Sequence, residues 1–513
     1  MGHHGGVTDP ANDGLRHGTA AARWVIAATV MGSGMAALDS TVVGIALPAI
    51  GHDFHANVAG LQWIVTGYLL TLAGLLLLGG ALGDRFGRRR LFLIGITWFA
   101  LASALCGLAP NTGVLVAARG FQGVGSALLT PGSLAILEAS FVPEDRGRAI
   151  GAWSAFGGVA TAIGPFLGGY LIGAISWRLI FFINLPVAAA VLTLGIRHVP
   201  ESRDVHAPRR IDIGGAALAT VGLIGMTYGI IEGPPKGWTS VTVVSALVLG
   251  VAAIGGFVAA EARERHPLLP LGIFGSSQFT ASNVVTFIVY GALGGALFLL
   301  PIELQNVSHY SATEAGAALL PVTFVMFALS AQSGALAGRI GPRLQMSVGP
   351  VVVGAGMALL ARLGVSGHAA NYIDRVLPAI IVFGLGLAIT VAPLTATVLG
   401  AVEADHAGIA SAVNNDVART AGLLAVAVLP VAAGLTGSSY LHAAAFAHGF
   451  RTAVLLSAGA CALGGLVALL TIRNPRRVPP RAGSAVPGLP AHLHCALEGP
   501  PLRGRTRVRL PVD

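Results

Sequence analysis

The chain has 513 residues, of which 54% are hydrophobic and 10% charged, with a mean hydropathy of +0.76. Soluble domains carry about 25% charged residues, so a single water-soluble core is excluded and a bundle of membrane-crossing helices is predicted. The formal charge of +9 comes mostly from arginines in loops and tail, which argues against nucleic acid as a partner and for a basic surface on anionic lipid.

Cys106, Cys461 and Cys495 are too scattered for a disulfide framework or a structural metal. The first twenty residues, with His3, His4 and Asp9, lack the pattern of a signal peptide, so the first span is expected to be retained. Lysine occurs only at Lys236 while Ala, Gly and Arg abound, which suggests a GC-rich bacterial genome.

Residues 24–48 form the first predicted span and carry Asp39 in Leu-Asp-Ser-Thr-Val-Val-Gly-Ile-Ala-Leu-Pro. Asp39 lies roughly 22 Å along the helix from Trp24, past the midplane toward the outer side. An acid there is functional by default; the plainer reading is a structural acid satisfied by a neighbouring helix. After a loop without Lys or Arg (His52, Asp53, His55), the second span opens with Trp63 and Tyr68, aromatics suited to the membrane interface.

Residues 80–90 follow, Gly-Ala-Leu-Gly-Asp-Arg-Phe-Gly-Arg-Arg-Arg. Arg85, Arg88, Arg89 and Arg90 would each cost roughly 2.5 to 3.5 kcal/mol at a bilayer centre, so this is a short cytoplasmic loop that orients the chain. Gly80 and Gly87 allow close backbone approach, and Asp84 is four residues before Arg88, within reach of an ion pair. A loop that only sets topology would not need that acid.

The third span covers about 91–108, and the fourth holds Leu115-x-x-x-Arg119-x-x-Gln122-Gly123-x-Gly125. Arg119 inside a span must face protein or water and pair with a carboxylate or carbonyls. Gly120, Gly123 and Gly125 echo a dinucleotide loop, but no strand precedes them. Glu144, Asp145, Arg146 and Arg148 are read as the next cytoplasmic loop. The fifth span carries Gly157, Gly158, Gly164, Pro165, Gly168 and Gly169, suited to close helix contact and a kink. Trp177-Arg178 opens a sixth span containing Asn184 and Pro186.

Arg197, Arg203, Arg209 and Arg210 return to the cytoplasm through a polar linker, and two further spans follow at about 213–231 and 241–260. Lys236 and Trp238 lie in the loop between them, and Arg263 and Arg265 come back inside. The ninth span begins near Phe279 and ends in Glu303-Leu-Gln305. The tenth ends at Gly334-Ala-Leu-Ala-Gly338-Arg339-Ile-Gly341-Pro-Arg343, a weakened repeat of residues 80–90 in which Gly338 replaces the acid. This echo argues for duplicated halves with a site between them. The remaining spans are about 348–363, 377–399 (followed by Glu403 and Asp405), 411–424 and 452–472. Asp416 and Arg419 are three residues apart in the thirteenth, so they either pair with one another or meet substrate. The Pro- and Arg-rich tail, with His492, His494 and Cys495, is expected to be disordered and makes a poor metal site. No His-Asp-Ser constellation or zinc-protease motif points to an enzyme.

The spacing Gly80-x-x-x-Asp84-Arg85-x-Gly87-Arg88-Arg89 resembles the signature loop between the second and third helices of the major facilitator superfamily, thought there to latch the two halves in the outward-facing state. The segment around Asp39 resembles the first-helix motif of the fourteen-helix drug:proton antiporters, the EmrB/QacA type, in which the matching acid couples transport to protons. Gly44 departs from that motif, which usually has Asn there. The pattern around Arg119 resembles the fourth-helix motif, whose Arg is assigned to proton transfer or carboxylate control. Gly164, Pro165, Gly168 and Gly169 resemble the motif that is strong in exporters; packing alone is the plainer reading. Arg419 matches a common residue of that family, whereas Asp416 is less usual.

The resemblance implies an all-α polytopic membrane protein of the major facilitator fold, with about fourteen helices. It is divided as a cytoplasmic tail (1–22), a six-helix bundle (23–196), a linker with an inserted two-helix hairpin (197–278), a second six-helix bundle (279–472) and a cytoplasmic tail (473–513). It further implies a monomeric exporter of amphiphilic small molecules (drugs, antibiotics, dyes) in the bacterial cytoplasmic membrane, with protons and lipid as its other partners and the proton gradient in place of a cofactor. An importer or lipid exporter of the same fold, and a membrane scaffold or sensor that transports nothing, are the rival readings.

Overall fold

The computed structural model describes residues 14–204, 211–264, 267–363, 371–403 and 407–474. Arg209, Arg210, Arg265, Asp405, His3, His4 and Asp9 lie outside the described residues, as does the tail with His492, His494 and Cys495. The described residues up to Asn474 form one compact unit.

Each apolar stretch is helical. In order they are α1 (Ala20–Phe54), α2 (Val58–Phe86), α3 (Arg88–Gly107), α4 (Thr112–Ser140), α5 (Pro143–Ala174), α6 (Leu179–Phe182), α7 (Asn184–His198), α8 (Ile213–Lys236) and α9 (Val241–Glu261), followed by α10 (Ser277–Ile302), α11 (Ala312–Ala318), α12 (Leu320–Ile340), α13 (Pro342–Leu360), α14 (Leu377–Gly400), α15 (Ala407–Ala432) and α16 (Ala443–Thr471). Small polar residues start many of them. Thr19, Asn57, Asn111, Asp212, Ser240, Ser276 and Ser311 each accept a first-turn backbone N–H, which meets the free donors that every helix start leaves.

With α6–α7 and α11–α12 each taken as one crossing, thirteen helices among the described residues are long and apolar enough to cross a membrane. α4, at 29 residues, is equally long but carries Arg119 and Gln122; with it the expected fourteen are present. Leu101, Leu105, Val248 and Leu470 are more than half exposed. Such apolar outward faces suit hydrocarbon, not water. The protein is a multi-pass membrane protein.

Several sequence expectations need correction. Glu144, Asp145, Arg146 and Arg148 are not a loop but the first turns of α5, started by Pro143 with two acids near the helix N-terminus, where the dipole favours them. The N-terminal tail is anchored near its end: Leu15 pairs with the backbone of Ser140 and Val142, and the His17 N–H reaches Asp145 at 2.8 Å. Tyr68 does not sit at an interface but is 2% exposed, inside the bundle.

α4 packs between α2 and α3, while α1 lies on α5 and α7, and α3 on α7. Likewise α13 packs on α14 and α16, α10 on α15 and α16, and α12 on α14. α8 and α9 pair with each other, and α8 rests against α2 and α15. An apolar cluster of Leu70, Ala73, Leu223 and Leu423 and a bond from Trp63 Nε1 to Glu232 hold it there.

The two groups meet through α1–α10, α2–α15 and α5–α11. One end is sealed. Ile50, Leu61 and Ile64 share a buried cluster with Leu300, Leu304, Leu435 and Phe450. Polar bonds cross the same seam: Gln62 Nε2 to the Val426 and Ala427 carbonyls, Gln305 Nε2 to Ile45 O, and Tyr440 OH to Gly51 O. At the other end a cavity of about 470 Å³ lies between the groups, lined among others by Asp84, Arg88, Glu138, Asn415 and Arg419.

Candidate functional site

The centre of the first group is a buried polar network. Asp39 of α1 and Arg119 of α4 are each 1% exposed, and Arg119 Nη1 donates to Asp39 Oδ2 at 2.5 Å. Gln122, one turn on from Arg119, accepts from the same Nη1 at 2.6 Å and donates from Nε2 to Asp39 Oδ1 at 2.8 Å. Asn184, the first residue of α7, donates to Asp39 Oδ1 at 3.2 Å and to Ser103 Oγ at 3.0 Å. Arg119 Nε bonds to Ile64 O, and its guanidinium lies 4.3 Å from the Tyr68 ring centroid.

Three helices, α1, α4 and α7, thus meet at one carboxylate. Removing one member of such a buried pair costs about 3–5 kcal/mol, because the other charge is left uncompensated. At Gly44 a methyl group would meet nothing within 4 Å, so no neighbour takes up the space of the missing Asn.

Gly87 ends α2 and starts α3 with φ 112°. Asp84 Oδ1 accepts from Arg88 Nε at 2.8 Å, Arg89 reaches Ile196 O, and Arg85 lies over Phe86. The loop is fastened to the segment after α7: Arg88 N donates to Ser202 O, Asp204 N to Asp84 O, and the Glu201 carboxylate accepts from Arg89 N and Arg90 N. A methyl group on Gly80 would meet Pro131 only at ordinary contact distance, so this glycine is not required by packing.

Along α5, methyl groups on Gly164 and Gly168 would collide with Thr41 and Val42 of α1, and one on Gly169 with the backbone of Ala312 and Thr313. Pro165 answers from the other side, since its carbonyl stands where a Gly316 methyl would go. These small residues therefore form the seam where α5 meets both α1 and α11, and Thr313 Oγ1 bonds across it to Gly169 O at 3.1 Å.

Asp416 and Arg419 share α15 but form no ion pair among the described residues. Asp416 Oδ1 is buried without a partner, and Arg419 lines the cavity. No group of three or more metal-ligating side chains exists among the described residues.

Reading the sequence alone missed Tyr68 under Arg119, the Ser103 contact, Gln62 across the seam and Glu201 on the loop. Gln62, a lone amide in an otherwise apolar run, was the one signal available. A polar side chain that deep needs a partner.

Residues 29–427 match the model of the Major Facilitator Superfamily. The chain belongs to that superfamily. It is a membrane transporter and not an enzyme. Within the Major Facilitator Superfamily it is 37% identical to the tetracenomycin C resistance and export protein of Streptomyces glaucescens, over 79% of this chain and 74% of that protein. It is 35% identical to the puromycin resistance protein pur8 of Streptomyces alboniger, over 90% and 93%. In fold it is similar to a bacterial homologue of the human lysosomal transporter Spinster, solved inward-facing and unoccupied. The TM-score is 0.63 at 14% identity, covering 88% of this chain and 97% of that one.

Proposed function

We propose that the protein is a proton-coupled antiporter of the fourteen-helix drug exporter type, moving amphiphilic small molecules out across the bacterial cytoplasmic membrane. The direction and substrate class are supported by relatives named for antibiotic resistance and export. Proton coupling is carried by one observation, the Asp39–Arg119 pair, whose acid accepts three hydrogen bonds, one of them from a buried guanidinium.

In this reading 23–196 and 279–472 are the two rocking bundles, 197–278 the linker and hairpin, and both termini are cytoplasmic. The arginine-rich loop after α2 then faces the cytoplasm, and the cavity beside it is the inward-open mouth. Substrate enters there while Asp39 is ionised. After the bundles rock, a proton from outside takes the carboxylate, Arg119 loses its partner, and the packing of α1 on α4 changes until the proton leaves inward. Asp84, Arg88, Arg89, Gly80, Arg85 and Gly87 act as a latch on that motion. The protein works as a monomer with no cofactor.

Everted vesicles loaded with a pH-sensitive dye test this. A lipophilic antibiotic or dye cation should drive protons out of energised vesicles as it is taken up. Proton-independent uptake would remove the coupling, and uptake only in right-side-out vesicles would reverse the direction.

A further inference from the structure

We propose that Glu303 is a second proton-binding site, which takes up a proton as the sealed end closes and returns it to water when that end opens. Glu303 begins a π-helical turn, Glu303–Val307, that follows α10. It is 0% exposed, and neither carboxylate oxygen has a hydrogen-bond partner. Its neighbours in sequence, Ile302 and Leu304, belong to the apolar cluster that seals this end, and Gln305 two residues on bonds across the seam to Ile45 O.

An ionised carboxylate in such surroundings, with no donor and no cation, is far costlier than the neutral acid. The ionisable side chains on the elements packed against this turn offer no rescue. Glu314 on α11, His448 and Arg451 on α16, and His52 and Asp53 on α1 are exposed. Asp39 is held by Arg119, and neither Tyr290 on α10 nor Cys461 on α16 bonds to Glu303. Closed, the site therefore holds an O–H bond. Opening admits water, the O–H bond breaks, the electron pair stays on the carboxylate, and the proton leaves to the bulk on that side.

π-turns concentrate at functional sites, and this one joins α10 to the segment that leads into α11, both part of the seam. The consequence is directional. Acid on that side favours closure, by up to about tenfold in the closed-to-open ratio per pH unit. This rests on the two-state reading above but not on Asp39 as the coupling site.

Infrared difference spectroscopy of the full-length protein at neutral pH tests occupancy: the carbonyl stretch of a buried carboxylic acid should be present, lost in Glu303→Gln and retained in Asp39→Asn. Spin labels on cysteines at the exposed His55 and Ser438, with Cys495 replaced by serine, report closure. In an Asp39→Asn background the closed population should still rise on acidification, and adding Glu303→Gln should flatten that response. Glu303→Leu serves if the glutamine variant does not fold. An infrared band unchanged by Glu303→Gln would overturn the proposal, as would identical pH responses in the two backgrounds. A response to sodium at fixed pH without the acid band would overturn it in favour of a metal-cation site.

Discussion

Glu201 and Asn474 hold equivalent places in the two halves. Each follows the last helix of its half and caps the arginine-bearing turn that follows a left-handed glycine. Glu201 accepts from Arg89 N and Arg90 N, and Asn474 Oδ1 accepts from Arg343 N. Each stands where a methyl group on Gly87 (φ 112°) or Gly341 (φ 86°) would go. The weakened second loop thus keeps its cap geometry although Gly338 replaces the acid.

That geometry makes Gly87→Ala a severe change. Alanine at this φ is strained by about 1–3 kcal/mol, and its methyl would also press on the Glu201 carboxylate. Glu201→Ala alone removes a capping acceptor, a loss of about 0.5–2 kcal/mol. In thermal melts of purified protein Gly87→Ala should fall furthest, and Gly87→Ala/Glu201→Ala should recover part of that loss. A double variant whose loss equals the sum of the two singles would mean that the side-chain collision contributes nothing.

Span positions are legible in the sequence because a bilayer demands about 20 apolar residues per crossing, and the arginines and Gly87 mark the first loop unambiguously. Asp39 and Arg119 are legible as a site because each charge is costly in lipid. Their other partners are not. Asn184 and Tyr68 lie 145 and 51 residues from Asp39 and Arg119 in sequence, and only the packing of α7 and α2 brings them in. Tyr68 shows the limit of composition: a tyrosine near a span end suits a headgroup and a guanidinium equally well. The linker's role as a fastener for the loop is invisible in the sequence, because Glu201 works through backbone N–H groups that every residue possesses.

The α5–α11 seam predicts a conformational effect. A methyl group at Gly169 meets backbone, which cannot turn away as a side chain can. Gly169→Ala should therefore hold the sealed end apart, lengthening the distance between labels at His55 and Ser438, and cut export about tenfold or more while substrate still binds. Wild-type distances with lost binding would place the effect in the cavity instead.

Asp416 and Arg419 predict different losses. Because no ion pair joins them, Asp416→Asn should accumulate as folded protein and weaken export of cationic substrates more than neutral ones. Arg419 lines the cavity, so Arg419→Ala should alter substrate preference in the opposite sense, favouring cations. Vesicle transport of a matched cationic and neutral pair measures both, and equal effects on the two substrates would remove any role in charge recognition.

Asp39→Asn decides the mechanism. Asparagine fills nearly the same space, and its Oδ1 can still accept one bond from Arg119, Gln122 or Asn184, but it brings an N–H where donors already converge and leaves the buried guanidinium without a counter-charge. The melting temperature should therefore drop while the fold survives. Coupling should be lost altogether: in proteoliposomes the variant should exchange substrate down its gradient yet accumulate none when a proton gradient is imposed. One proton returning down a membrane potential supplies about 2.3 kcal/mol per 100 mV, enough for a substrate gradient of some tens-fold in the wild type and none in the variant. Gln122→Ala separates charge from geometry, because it keeps the ion pair and removes a donor to Asp39 Oδ1. A hydrogen bond to a charged group contributes about 1.5–3 kcal/mol, so uphill transport should be slowed by at least about tenfold but remain coupled. Wild-type accumulation by Asp39→Asn in that assay would move the coupling proton to Asp416 or Glu303, two acids within the spans that have a buried carboxylate oxygen without a hydrogen-bond partner.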